Sequence, residues 1–360
     1  AGMKGEFIAM GKSHQIEIKC YDSANNEFPL GGAILSFTNN RPGDASIDEN
    51  GLVTPLKLGK FSAIVGVTIE GDYAEATINI PIVGTNLLEE DSFSSGFSTT
   101  SESQFWQGRD AVNNTYYTMA DYQLVTNSAD LHWGSTAFRL NYKRLLPQSV
   151  QLMYGINDWQ FVDVEPNKMY EFSMWMKGNI TDNTHYISYS EIGRQNTTNI
   201  LDVNFLYHDI PFNQSKLTGT YQFFRSRPSI MADSKINKVF PVLWSTGANA
   251  GDYLYMTDLS YNEVTLDQSV FTFDNPNLTN LSPGDTRTVA KATHYTNTGN
   301  KIYTDFIRVG SLSASDPLIP EPTIKYTSTN TNVVKVLPGG IFEAIGNGTA
   351  EIVAVVQLGI

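Results

Sequence analysis

The sequence predicts an all-β fold, on three observations. Apolar and polar residues alternate with a period of two, turn-forming clusters interrupt these runs at short intervals, and helical periodicity is nearly absent. The run Tyr170-Glu171-Phe172-Ser173-Met174-Trp175-Met176-Lys177 puts Tyr170, Phe172, Met174 and Met176 on one face of a strand. Ala137 to Lys143 does the same with Phe138, Leu140 and Tyr142, and Ala74 to Val83 and Ala350 to Val356 are β-branched runs. Pro42-Gly43-Asp44, Ser282-Pro283-Gly284-Asp285 and Pro338-Gly339-Gly340 are turn signals between such runs. Short strands separated in this way fit β-sandwiches and jelly rolls.

At 360 residues the chain is long enough for two or three domains. A hydrophobic fraction of 41% and an aromatic fraction of 12% supply folded cores and exclude disorder. The 24 basic and 37 acidic residues leave a formal charge of −13, which repels nucleic acid and anionic membrane surfaces. Cys20 stands alone, so neither an intrachain disulfide nor a cysteine-based zinc site is available. No apolar run reaches the length of about 18 residues that a membrane-spanning helix requires. Polarity comes mainly from Asn, Ser and Thr, a composition that sets the expectation of a secreted or cell-surface location.

The two ends of the chain repeat each other. Phe37-Thr38-Asn39-Asn40 precedes a turn glycine, Gly51, by 14 positions and Tyr326-Thr327-Ser328-Thr329-Asn330 precedes Gly340 by 14. The next glycine follows after 8 positions in both, at Gly59 and Gly348. Matched glycines mean matched turns, because each supplies the same left-handed backbone. The runs Ser36 to Ile64 and Thr327 to Ile352 resemble bacterial immunoglobulin-like domains of group 2, the second more closely than the first, which departs at Arg41-Pro42-Gly43. The resemblance implies spacer or adhesive modules and supplies no catalytic residue. The second copy stops at Gln357-Leu358-Gly359-Ile360, where the first continues into Ala74 to Val83. The expectation is a domain truncated at its C-terminus in a longer polypeptide, with a shorter domain as the alternative.

Between the copies the composition changes. All five tryptophans and 13 of the 18 tyrosines fall between Asn86 and Val264. Asn86-Leu87-Leu88 leads through Phe93 and Gly96 to Trp106; then come Gly134 to Leu140, Val164 to Lys177 and Gly251 to Tyr261. These four segments, in this order, resemble a jelly-roll carbohydrate-binding module of the type attached to xylanases and cellulases. The expected organisation is therefore an immunoglobulin-like domain over 1–85, a carbohydrate-binding jelly roll over 86–265 and a second immunoglobulin-like domain over 266–360.

Sugar binding needs flat aromatic faces against the C–H surface of a pyranose and hydrogen-bonding groups at the rim. Trp175 shares the polar face of its strand with Glu171, Ser173 and Lys177, an unusual place for a ring whose burial is worth a few kcal/mol. It is either a stacking platform or a residue covered by a long loop or a neighbouring domain. Arg139 faces away from Phe138, either towards sugar hydroxyls or a uronate carboxylate or simply into solvent. Lys177 joins these as a rim candidate. Tyr116 and Tyr117 are adjacent, so one points outward, and Tyr117 is the candidate; Trp133 and Trp159 lie beside loops, where ligand contact and packing are both open. In relatives an acidic pair near the start and two late aspartates help hold a structural calcium ion. Here Ser92 and Ser94 replace the first pair and Thr257 the first late aspartate. Asp258 remains, either as a calcium ligand with Glu89, Glu90 or Asp91 or as an acceptor for loop amides.

The five histidines are scattered, and no H-E-x-x-H, G-x-S-x-G or P-loop occurs. Tyr207-His208 with Arg139 imitates the residue set of jelly-roll lyases, but neighbours on a strand point to opposite faces. The expected function is a non-catalytic, polysaccharide-binding accessory region of a large bacterial protein, attached to a polysaccharide-degrading enzyme. The chain is expected to be monomeric and continuous with further domains. The alternative is a receptor-binding or decoration module of a phage tail or surface adhesin.

Overall fold

The computed structural model describes residues 2–3, 6–88, 106–110, 120–132, 136–142, 150–154, 162–165, 168–180, 186–195, 203–206, 217–226, 228–231, 236–246, 249–273, 281–288, 292–299, 301–302, 307–309, 323–338 and 341–357. Among them there is no α-helix; strands account for the regular structure, with a 3-10 turn at Ser128–Asp130. The fold class is all-β, as the alternation requires.

The first unit closes two four-stranded sheets over one core. One sheet runs Gly2–Met3, His14–Glu17, Leu52–Pro55, Ala45–Ile47; the other runs Ile8–Ala9, Asp72–Val83, Gly59–Ile69, Ile34–Asn39. Phe61, Ala63 and Val65 on one strand and Ile78, Ile80 and Ile82 on its partner alternate inward and pack on Ile8, Ile16 and Val53.

The repeat seen in the sequence holds at the level of single hydrogen bonds. Every counterpart lies 289 positions on, as Tyr326 does from Phe37. The Ala45 and Asp44 amides donate to Arg41 O, and the Val334 and Val333 amides donate to Asn330 O. Leu56 N donates to Asp44 O and Ile345 N to Val333 O; Asn40 N donates to Ser62 O and Thr329 N to Glu351 O. Strand registers match too: Phe37 pairs with Val65 and Tyr326 with Ala354, Ile47 with Val53 and Val336 with Phe342. Gly59 and Gly348 both have left-handed φ, 154° and 141°. Each packs against the residue at the same repeat position, Asp44 in one copy and Val333 in the other. That position is buried in both. The carboxylate of Asp44 is compensated by Arg41 Nε at 2.7 Å and Lys57 Nζ at 3.0 Å, whereas Val333 needs no compensation.

The middle unit has two sheets. In one, Trp106–Asp110, Val150–Tyr154, Ile236–Thr246, Tyr186–Gln195 and Val203–Leu206 are neighbours in that order. In the other we label β1 (Ala120–Val125), β2 (Ala137–Tyr142), β3 (Met169–Gly178), β4 (Gln222–Arg225) and β5 (Tyr253–Val264). Their order is β1-β2-β5-β3, with β4 beyond β3. Phe138, Leu140, Tyr142, Phe172, Met174, Met176, Leu254, Met256, Leu259 and Tyr261 are all buried, as on the inner face of a β-sandwich. Apolar residues of β5 recur at 254, 256, 259 and 261. The extra residue between 256 and 259 is a β-bulge, where the register against β3 shifts between Ser173 and Trp175. Asp258 occupies it with φ 49°.

The opposite face of β3, read from the sequence as either a stacking platform or a covered face, is largely covered. Glu171 and Ser173 are 4% exposed and Lys177 9%, while Trp175 is half-buried. The reason is cover from both flanks of the chain. Thr296 Oγ1 and Thr298 Oγ1 donate to the Glu171 carboxylate at 2.8–3.0 Å, supplying the hydrogen bonds a buried carboxylate needs. Next to them Asn297, 2% exposed, ties the first and last stretches together. Its Nδ2 donates to Gly59 O and Ile82 O, and its Oδ1 accepts from Thr265 N. Lys60 pairs with Asp267 across the same seam, and Val83, Met169 and Val264 form a small core with Phe7, Ala9 and Leu266. Asn86 caps the junction on β5, donating to Leu259 O and accepting from Tyr261 N. Ile307–Val309, from the last stretch, pairs in parallel with Ser229–Met231 of the middle sheet.

Two substitutions test this packing. Asn297→Ala strips partners from one buried and two part-buried backbone groups, a buried one costing about 1–3 kcal/mol when unsatisfied. Denaturant unfolding should show a loss of about 2–4 kcal/mol, and an unmoved midpoint would mean that the seam adds nothing. Asp44→Val copies the other repeat. It removes the one buried charge, and the cations left behind, Arg41 and Lys57, are exposed and stay solvated, so the same measurement should show no loss, or a gain of about 1 kcal/mol.

Candidate functional site

The outward face of β2, β5 and β3 carries a row of rings and cations. Arg139 stands opposite Tyr255 on β5, and Tyr255 stands opposite Lys177 on β3. In the adjoining rows Asn141 pairs with Tyr253, and Thr257 pairs with Trp175, which pairs with Phe223 on β4. The alternation that sends Leu140, Leu254, Met256 and Met176 inward sends these residues outward.

The Arg139 guanidinium carbon lies 5.0 Å from the Tyr253 ring centroid and 5.1 Å from that of Tyr255. The two rings meet edge to face at 5.5 Å. Lys177 Nζ lies 4.7 Å from the Tyr255 centroid and 4.8 Å from that of Tyr221, and forms an ion pair with Asp130 at 3.3 Å. Such contacts hold each cation over a ring quadrupole, worth about 0.5–2 kcal/mol as water is excluded. Burial pushes the Tyr221 phenol well above the usual tyrosine range, helped by the Asp258 carboxylate. Its hydroxyl donates to Asp130 O at 2.7 Å. Burial also raises Tyr255, with the Arg139 charge opposing the shift. Both rings are therefore neutral phenols.

The segment 128–132 folds over one end of this row. His132 stacks on Trp175 with centroids 4.0 Å apart, and Trp175 leans on Phe223 at 5.3 Å. The bulge turns Asp258 out of the strand alternation, and its Oδ2 meets His132 Nδ1 at 3.0 Å. Asp258 thus braces the imidazole that covers Trp175. Calcium requires six to eight oxygen ligands with several carboxylates. Among the described residues no three His, Cys, Asp or Glu side chains gather around a point where a metal ion could sit; Glu89, Glu90 and Asp91, the partners considered for Asp258, lie outside those residues.

Of the residues singled out in the sequence, Arg139, Lys177 and Trp175 come together on this one face. Trp175 has His132 and Phe223 as ring neighbours, the imidazole tilted by 32° over it. Lys177 is sunk between two tyrosines. Tyr117, Trp133 and Trp159 lie outside the described residues, as do Glu89, Glu90 and Asp91. Tyr253, Tyr255, Tyr221 and His132 complete the face without having been singled out. Tyr253 and Tyr255 were signalled by alternation with Leu254 and Met256, whereas no local pattern marks His132 or Tyr221.

No protein-family model matches the sequence, and no curated protein matches it. Among solved structures, the chain is similar to the enzymatically active domain of tailspike protein 4 of bacteriophage CBA120, at 12% identity and a TM-score of 0.35 over 51% of this chain and 22% of that one. It is also similar to a carbohydrate-binding module of the β-sandwich superfamily, at 11% identity and a TM-score of 0.33 over 72% of this chain and 95% of that one. A third is the CBM22-1 xylan-binding domain from Paenibacillus barcinonensis, at 12% identity and a TM-score of 0.30 over 49% and 94% of the two chains. This chain spans 22% of the tailspike chain's length. Likenesses of this degree decide neither ligand nor activity. No helix among the described residues is long and apolar enough to cross a membrane.

The bulge yields a test. A side chain at left-handed φ costs about 1–2 kcal/mol that glycine does not incur. Asp258→Ala and Asp258→Gly both remove the partner of His132, but only alanine keeps the strain. Thermal or denaturant melts should place the alanine variant roughly 1 kcal/mol below the glycine variant, and both below the parent.

Proposed function

We propose that this chain is a non-catalytic polysaccharide-binding region of a larger secreted or surface bacterial protein. In this reading the middle unit carries the binding face, and the two repeats serve as immunoglobulin-like spacers for an attached polysaccharide-degrading enzyme. The observation that carries it is the row Asn141, Tyr253, Arg139, Tyr255 and Lys177 on the outward face of a β-sandwich sheet. Rings and hydrogen-bonding groups side by side on a rigid sheet are what a pyranose surface requires. Tyr253, Arg139 and Asn141 are half-buried, so each keeps part of its surface for a ligand. Trp175, also half-buried, is packed between His132 and Phe223 and acts as the support of this face.

The assignment separates two variants. Tyr253→Ala should weaken retention by polysaccharide roughly ten-fold, about 1.4 kcal/mol, with a small effect on the melt. Trp175→Ala should cost about 2–4 kcal/mol of stability, as expected for removing a large packed ring. Affinity electrophoresis of the full chain on a panel of plant and bacterial polysaccharides, run beside thermal melts, reads both. Absence of retention on every polymer would overturn the proposal.

A further inference from the structure

Arg139 and Arg225 differ from three lysines that the sheets hold, and of the two Arg225 donates to Thr298 O at 2.5 Å. Lys177 has Asp130, Lys168 has Glu263 at 2.7 Å and Lys60 has Asp267. No carboxylate among the described residues lies within ion-pair distance of Arg139. Its Nε is buried with no hydrogen-bond partner among the described residues. A guanidinium stays ionised at every accessible pH. Here it is held between two tyrosine rings, partly stripped of water and uncompensated, on a chain whose net charge is −13.

We infer that Arg139 receives the carboxylate of a uronic acid, so that the site selects acidic over neutral polysaccharides. This rests on the sugar-binding reading above and narrows it. A planar guanidinium matches a carboxylate with two parallel N–H···O bonds, and such charge-assisted pairs are about twice as strong as neutral ones. A neutral sugar would cover the cation with hydroxyls and leave its charge unanswered. The two rings restrict the guanidinium beforehand, so less freedom is lost when the ligand arrives. The acidic chain as a whole repels polyanions, which assigns selection to this contact rather than to bulk charge.

The test uses the full chain in affinity electrophoresis against polygalacturonate, alginate and glucuronoxylan, each beside its carboxyl-reduced form, with one sulfated polysaccharide. At least one uronate polymer should retain the protein ten-fold or more better than its reduced form. Arg139→Gln should abolish that difference, and Arg139→Lys should keep part of it, since lysine retains the charge and loses the fork. Should the glutamine variant melt early, the lysine variant carries the comparison. Equal retention by a polymer and its reduced form would overturn the uronate assignment and leave sugar binding standing. Retention by the sulfated chain alone would also overturn it. No retention by any polymer would remove the sugar-binding reading itself.

Discussion

Strand β3 is covered on both faces, with Trp175 alone half-buried, and most of the molecule's organisation follows from that. Its inner side chains, from Tyr170 to Met176, belong to the sandwich core. Its outer side chains are divided between two different covers. Glu171 and Ser173 lie under the seam built from residues around Val83, Thr265 and Asn297, while Trp175 and Lys177 lie under the 128–132 segment and Tyr221. A strand buried on both faces must satisfy every polar group from other parts of the chain. Glu171 does so through Thr296 and Thr298, and Ser173 through Ser260 at 2.7 Å. Junction and aromatic row thus lie at two ends of one strand, with three residues between Glu171 and Trp175.

The handling of charge follows the same economy. The buried charges of Asp44 and Lys177 each have an opposite partner nearby, while buried Glu171 is met by threonine hydroxyls. The repeat shows that such a pair is one solution among others, since the position of Asp44 is filled by Val333 in the second copy with the backbone hydrogen bonds retained. Charge at that position is therefore not needed for the turn. What both copies keep is a glycine with left-handed φ against the buried residue.

Much of this was legible in the sequence, and for a definite reason. Alternation reports which side chains share a face, so the core faces of β2 and β3 and the grouping of Lys177 with Trp175 could be read directly, while the place of Arg139 beside them depends on how the two strands pair. Glycine spacing reports turn geometry, so the repeat could be found from four glycines. Alternation does not report what lies on the far side of a face. Glu171 and Thr296 are 125 positions apart, and nothing local to either announces the other. The same limit hid His132, which reaches Trp175 from a loop. The bulge was half legible. A spacing of two, three, two at Leu254, Met256, Leu259 and Tyr261 marks an extra residue, although Asp258 itself is legible through the resemblance alone, as a calcium ligand or an acceptor for loop amides.

That bulge joins the fold to the site. Without the extra residue, Leu259 and Tyr261 would be carried to the outer face, because one step along a strand reverses every side chain beyond it. With it, the apolar residues on both sides of the bulge stay inside, and the surplus residue is left out of the alternation. The surplus residue is an aspartate, which tolerates left-handed φ better than most side chains. Its carboxylate braces His132, and the imidazole in turn lies on Trp175. The cover over one end of the aromatic row is thus attached to the very irregularity that keeps the core in register. Next to that covered end, Tyr255 stays buried and Tyr253 and Arg139 stay partly open. The boundary between packed support and accessible face is set by where the bulge falls along β5.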